Sequence, residues 1–172
     1  MAKYIAFLRG INVGKIRIKM VDLQSAFEQM GCKSVKTYLQ SGNVVFEADK
    51  PMSDLKAMLE KGLTDTFHYE AFVQVYGFGT LAAAIAGYPM TRDDSHHAYL
   101  VFIDKAPVFE ELQALAQDMG EESKSIAPGD SLLYWKVPIG QSLDTPFAKL
   151  LAKPKYKSST TVRNLNTLEK MV

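Results

Sequence analysis

Val35-Lys36-Thr37-Tyr38-Leu39-Gln40-Ser41-Gly42-Asn43-Val44-Val45-Phe46 is the stretch that decides the fold. Val35 to Leu39 and Val44 to Phe46 are rich in β-branched and aromatic residues. Ser41-Gly42-Asn43 between them is a tight-turn signal, so the stretch reads as a β-hairpin. On its N-terminal side, Leu23, Ala26, Phe27 and Met30 follow the i, i+3, i+4, i+7 spacing of one helix face. That spacing predicts a helix over 20–30, stopped by Gly31. An apolar strand over 3–9 precedes it. On the C-terminal side, Pro51 ends the hairpin and Ser53 is placed to cap a second helix. That helix carries Leu55, Met58, Leu59 and Leu63 on one side. Ala71, Val73 and Val75 then alternate as a fourth strand. The resulting order, β-α-β-β-α-β, is that of a ferredoxin-like unit.

The second half partly repeats this order. Ala98 to Ile103 is an apolar strand. Pro107 suits the first turn of a helix whose apolar stripe is Phe109, Leu112, Leu115 and Ala116. Two strands flank Pro128-Gly129-Asp130, and Leu133, Trp135 and Val137 share a face. A short helix follows near Pro146 to Leu151. The last helix is capped by Asn164 or Asn166, and Asn166 with Glu169 matches a capping box. The chain is therefore expected to be α+β, with two ferredoxin-like βαββαβ-type subdomains. Each would be an antiparallel sheet with helices packed on one face. The expected boundaries are 1–78 and 79–172. The second subdomain is partial, with a linking helix at about 80–86 and the C-terminal helix.

The chain has 172 residues, enough to bury a self-sufficient core. No apolar run approaches the roughly 18 residues that cross a bilayer. The first residues carry no secretory pattern. The single cysteine, Cys32, cannot form an intrachain disulfide, which points to a reducing cytoplasm. The net charge of +1 excludes a strongly basic nucleic-acid binder taken as a whole. The charge is nonetheless uneven. Residues 1–21 carry Lys3, Arg9, Lys15, Arg17 and Lys19 with no acid, and residues 145–163 carry Lys149, Lys153, Lys155, Lys157 and Arg163 with no acid. Two such ends form either a positive face or two unrelated solvated surfaces.

Gly10-Ile11-Asn12-Val13-Gly14-Lys15 lies between a strand and a helix, the setting of a phosphate loop. It is one residue short of G-x-x-x-x-G-K, and Ile16 stands where a magnesium-binding hydroxyl is needed. Helix one begins several residues later, away from the loop. Nucleotide hydrolysis is thus disfavoured, and a looser anion site or a plain turn remains. Ser41-Gly42-Asn43 is explained by turn chemistry alone or by a ligand contact; Tyr38 and Gln40 would join such a contact if the hairpin lines a groove. Arg163, beside a helix start, needs a carboxylate, a phosphate or water. His96 and His97 are neighbours that a strand turns to opposite faces, and Asp93-Asp94 before them reads as a linker loop. No metal-ligand spacing and no cofactor motif occurs, and nothing lowers the Cys32 thiol pKa.

Three stretches together resemble the bacterial domain-of-unknown-function 1697 family. They are Phe7-Leu8-Arg9-Gly10-Ile11-Asn12-Val13-Gly14, Thr37-Tyr38-Leu39-Gln40-Ser41-Gly42-Asn43-Val44-Val45-Phe46 and Thr161-Val162-Arg163-Asn164-Leu165-Asn166-Thr167. The resemblance covers essentially the whole chain. It implies an α+β protein of two ferredoxin-like subdomains and supplies no activity. Its polar signature falls on Arg9, Asn12, Ser41, Asn43, Arg163 and Asn164. The chain departs from the family pattern at Lys15, Leu165 and Ser142-Leu143.

The leading expectation is a cytoplasmic protein that binds an anion, a nucleotide or nucleic acid, in a cleft between the subdomains. Arg9, Gly10, Asn12, Gly14, Lys15, Ser41, Asn43, Arg163 and Asn164 would line it. Arg9 and Arg163 would hold the anion, the glycines would allow close backbone approach, and Asn12 and Asn43 would orient the ligand. An enzyme of a small anionic substrate, or a protein-interaction module, are the other readings. The expected state is a monomer or weak homo-oligomer, with no membrane partner.

Overall fold

The computed structural model describes residues 1–12 and 14–172. Its backbone divides into two units, Met1–Ala82 with Lys170–Val172, and Ala83–Glu169. In the first unit the elements are β1 (Ala2–Leu8), α1 (Met20–Gln29), β2 (Lys33–Tyr38), β3 (Asn43–Ala48), α2 (Met52–Phe67) and β4 (Val73–Gly77). Helix α3 (Phe78–Ala86) follows. The four strands make one sheet in the order β2-β3-β1-β4, with every neighbouring pair antiparallel.

Period-two alternation puts Ala6 and Leu8 of β1 on the same face as Val44, Phe46 and Ala48 of β3 and Val73 and Val75 of β4. Opposite them lie Leu23, Ala26 and Phe27 of α1 and Leu55, Leu59 and Leu63 of α2. The three α2 leucines are fully buried. Each adds on the order of 1.5–3 kcal/mol of burial, which is how a helix with weak intrinsic stability is held. Gly31 ends α1 in the left-handed conformation, φ 93°, as its position after the apolar stripe predicts.

Helix α2 starts without the expected Ser53 cap. Pro51 is the cap residue, in extended conformation, and its carbonyl takes the amides of Asp54 and Leu55. The fixed φ of proline sets this entry, so Ser53 falls inside the helix. The hairpin closes at the Tyr38–Asn43 pair, and Leu39 (φ 56°) leaves the strand as an exposed turn residue.

The second unit contains β5 (His96–Ile103), α4 (Ala106–Gln117), β6 (Ile126–Pro128), β7 (Leu132–Pro138), α5 (Pro146–Leu151), β8 (Thr160–Asn164) and α6 (Leu165–Glu169). Short 3-10 turns cover Gly120–Ser125 and Pro154–Tyr156. The sheet order is β6-β7-β5-β8, again antiparallel throughout. Val101 and Ile103 of β5 and Leu133, Trp135 and Val137 of β7 form the covered face. Leu112 and Ala116 of α4 and Phe147, Leu150 and Leu151 of α5 close over it. Leu115, placed in the apolar stripe by spacing, is instead exposed. The chain is thus α+β, two four-stranded antiparallel sheets with helices packed against them. No helix among the described residues is long and apolar enough to cross a membrane.

Candidate functional site

The loop after β1 turns sharply because Gly10 (φ 74°), Asn12 (φ 55°) and Gly14 (φ 61°) all take the left-handed conformation. Val13, within that motif, lies outside the described residues. Asn12 is the fastener of the loop. Its Oδ1 accepts the Ile18 amide at 2.9 Å, and its Nδ2 donates to the carbonyls of Ile18 at 3.1 Å and Gln40 at 2.7 Å. Its own amide donates to the Ile16 carbonyl at 2.7 Å. One side chain thereby ties the loop both to the approach of α1 and to the hairpin turn.

The hairpin turn reciprocates. The Leu8 amide donates to the Gly42 carbonyl at 2.9 Å. A Cβ on Gly42 would lie 2.8 Å from Leu8 Cβ and 2.9 Å from Ile11 Cδ1, and Gly42 has φ 84°. Both space and backbone therefore require glycine there. Asn43 is fully buried, and its Nδ2 donates to the Tyr38 carbonyl at 2.9 Å and Ser41 Oγ at 2.8 Å. The first two polar motifs are thus brought together, with Asn12 and Asn43 engaged in internal bonds. Gly10, Gly14 and Lys15 are exposed. Arg9 is partly buried, and desolvation lowers its guanidinium pKa.

Beside this brace is a depression of about 370 Å³ lined by Asn12, Arg17, Lys19, Asp22, Gln40 and Phe67, among others. Helix α1 opens onto it: Lys19 is the cap residue, with no side-chain cap bond. The sequence placed the start of α1 away from the loop. The Asn12–Ile18 bonds close that gap, since Ile18 stands just before the helix. The missing signal was Asn12 acting over six residues, a reach that local spacing rules do not cover. Arg17 and Lys19 are exposed cations on this wall and have no ion pair among the described residues.

The third motif lies in the second unit. Arg163 sits on β8 opposite Leu100 of β5 and is only 5% exposed. Asn164 Oδ1 accepts the Asn166 amide at 2.8 Å, which makes Asn164 the cap of α6. The capping box expected of Asn166 and Glu169 does not form. Both side chains instead receive Arg92, whose Nη1 is 2.8 Å from Glu169 Oε1 and whose Nη2 bonds Asn166 Oδ1. That contact spans more than seventy residues of chain and left no local signature.

Asp93 and Asp94, read as a linker loop, line a polar cavity together with His96, His97, Arg92 and Lys136. Sequence spacing missed it because Lys136 comes from β7, paired beside β5. The structure holds no cluster of three or more metal-ligating side chains among the described residues. Cys32 is buried and its thiol is pushed up to about 11 by desolvation, so it is a packing residue.

Comparison with known proteins adds a family and a fold. The family model described as a protein of unknown function, DUF1697, matches residues 1–134. No curated protein matches. The solved structure of the conserved bacterial protein SP0830 from Streptococcus pneumoniae aligns with a TM-score of 0.80 at 22% identity. That alignment covers 99% of this chain and 96% of the other, and at this identity it speaks for the fold alone.

Proposed function

The chain belongs to the DUF1697 family, whose function is unknown, and on that premise we propose that it binds a small anionic ligand of the nucleotide class in the depression at the start of α1. The observation that carries this reading is the pair Arg17 and Lys19, exposed on one wall without acid partners, beside a helix start that lacks a side-chain cap. Helix N-termini favour anions, and Asp22 in the first turn offsets part of that field. The two cations are surplus to it. Gln40 adds a polar side chain and Phe67 an aromatic surface to the same wall. The volume falls within the about 300–1,000 Å³ of small-molecule pockets.

Binding is the reading supported, because the lining groups are mainly cations, amides and an aromatic ring, and the carboxylate among them, Asp22, stands in the first turn of α1. A small ligand also suits a chain of net charge +1 better than a long nucleic acid does. The single cysteine supports placing this activity in the cytoplasm.

The test is a titration with adenosine and guanosine nucleotides at fixed ionic strength, repeated with the Arg17→Ala/Lys19→Ala double variant. We expect saturable binding that weakens by roughly tenfold or more in the double variant, since charge-assisted bonds contribute about 1.5–3 kcal/mol each. Unchanged affinity in that variant, with the chain folded, rules the site out.

A further inference from the structure

The second unit holds a polar cavity of about 210 Å³ framed by Arg92, Asp93, Asp94, His96, His97 and Lys136. It is smaller than the roughly 300–1,000 Å³ of pockets that take drug-sized molecules, so its occupant is small. Asp93 organises the wall. Its Oδ1 accepts the Ser95 amide at 2.9 Å and Ser95 Oγ at 2.8 Å, and lies 2.8 Å from His96 Nδ1. Its Oδ2 is 3.0 Å from Lys136 Nζ. These bonds, that of His96 foremost, hold the Asp93 carboxyl well below the usual carboxylate range. Asp93 is therefore a buttress whose acceptor positions are largely taken.

The groups left over are mostly donors. Lys136, with a side chain only 19% exposed, spends one of its three N–H groups on Asp93. Arg92 spends part of its five-donor fork on Glu169 and Asn166. With the Nδ1–H of His96 given to Asp93, the ε nitrogen of the neutral ring is an acceptor and adds no donor for an anion. Tyr88 also lines the cavity. Its hydroxyl is buried with no partner among the described residues, and the fields of Arg92 and Asp93 both reach it. Asp94 is an exposed acid on the same wall. A donor-rich wall of this kind is complementary to an acceptor-rich ligand.

We propose that this cavity binds a small oxyanion, a carboxylate or phosphate on a molecule well below nucleotide size, held by Lys136 and Arg92. The inference does not rest on the depression of the first unit, since no residue is shared between the two walls.

The experiment titrates the full chain with inorganic phosphate and, separately, with succinate at constant ionic strength set by chloride. Amide and imidazole resonances are followed by NMR. We expect a saturable shift at His96 and Ala98 with one of the two anions; phosphate alone assigns a phosphate site, and succinate alone a carboxylate site. Lys136→Met should weaken binding by roughly tenfold. Arg92→Gln keeps an amide for Asn166 and Glu169 but removes the second cation, and it should weaken binding severalfold even if Lys136→Met does not fold. The Arg17→Ala/Lys19→Ala variant should bind as the unaltered chain does, which separates this site from that of the first unit. The proposal is overturned if neither anion gives a saturable shift at His96. It is equally overturned if the folded Lys136 and Arg92 variants bind like the unaltered chain.

Discussion

The two units lay down their strands in the same order, second, third, first, fourth, yet roof them differently. In the first, α2 runs for 16 residues and buries a leucine on each of three successive turns, Leu55, Leu59 and Leu63. In the second, the corresponding helix α5 has only 6 residues, and Phe147, Ala148, Leu150 and Leu151 are all buried. Tyr156, from the 3-10 turn that follows, fills the remaining core. The braces differ too. The first unit uses the Asn12 amide to tie loop to hairpin. The second uses Glu122, whose carboxylate accepts the Phe147 amide at 2.9 Å and Trp135 Nε1 at 3.3 Å. The order of a sheet is thus separable from the means of covering it: any roof that buries the same strand faces will serve.

That comparison can be broken or sharpened by mutation. The largest effects should come from the two cores. Phe46→Ala and Phe147→Ala each remove a fully buried ring and should cost about 3–5 kcal/mol by urea unfolding. A much smaller loss at Phe147 would mean that the short roof collapses to fill the space. Gly42→Ala comes next. Its methyl would meet Leu8 and Ile11 at under 3 Å in a left-handed backbone, and we expect a loss of about 3 kcal/mol.

The polar braces should follow. Asn12→Ala strands the Ile18 amide and should cost about 2 kcal/mol, while Asn164→Ala removes a single helix cap and should cost about 1 kcal/mol. Equal costs would show that the Asn12 network carries no more than an ordinary cap. The smallest effect is confined to acid pH. Asp93 is held below its ordinary pKa, so its contribution is present above the unfolded value and lost as pH falls through the folded one. Asp93→Asn should therefore flatten the fall in stability below about pH 4, compared by urea midpoints at pH 7 and pH 3. An unchanged acid slope would show that the Ser95, His96 and Lys136 bonds do not persist in solution.

Much of the architecture was legible. The hairpin at 35–46, the leucines of α2 and the shared face of Leu133, Trp135 and Val137 all follow from periodicity, because burial repeats at the period of the element. Helix starts were less legible. Ser53 and the Asn166–Glu169 pair have capping chemistry, but Pro51 fixed one entry and Arg92 claimed both members of the other. The candidate sites were the least legible part. Arg9 to Lys15 was visible as a polar loop, but the depression beside it depends on Asn12 reaching Ile18 and Gln40. The second cavity depends on Lys136 lying across a strand pair from Ala98. Local patterns encode which groups are present; only the register of the sheet encodes which of them meet.

Strand β1 is central in its sheet, hydrogen-bonded to β3 on one side and β4 on the other. It is also made before either of them. During synthesis the apolar run Ile5-Ala6-Phe7-Leu8 emerges with neither neighbour available, since Asn43–Ala48 and Val73–Gly77 follow much later. At about 5–20 residues per second the wait lasts several seconds. A nascent chain of this protein therefore presents this apolar strand to the ribosome surface and to chaperones before either of its neighbours exists.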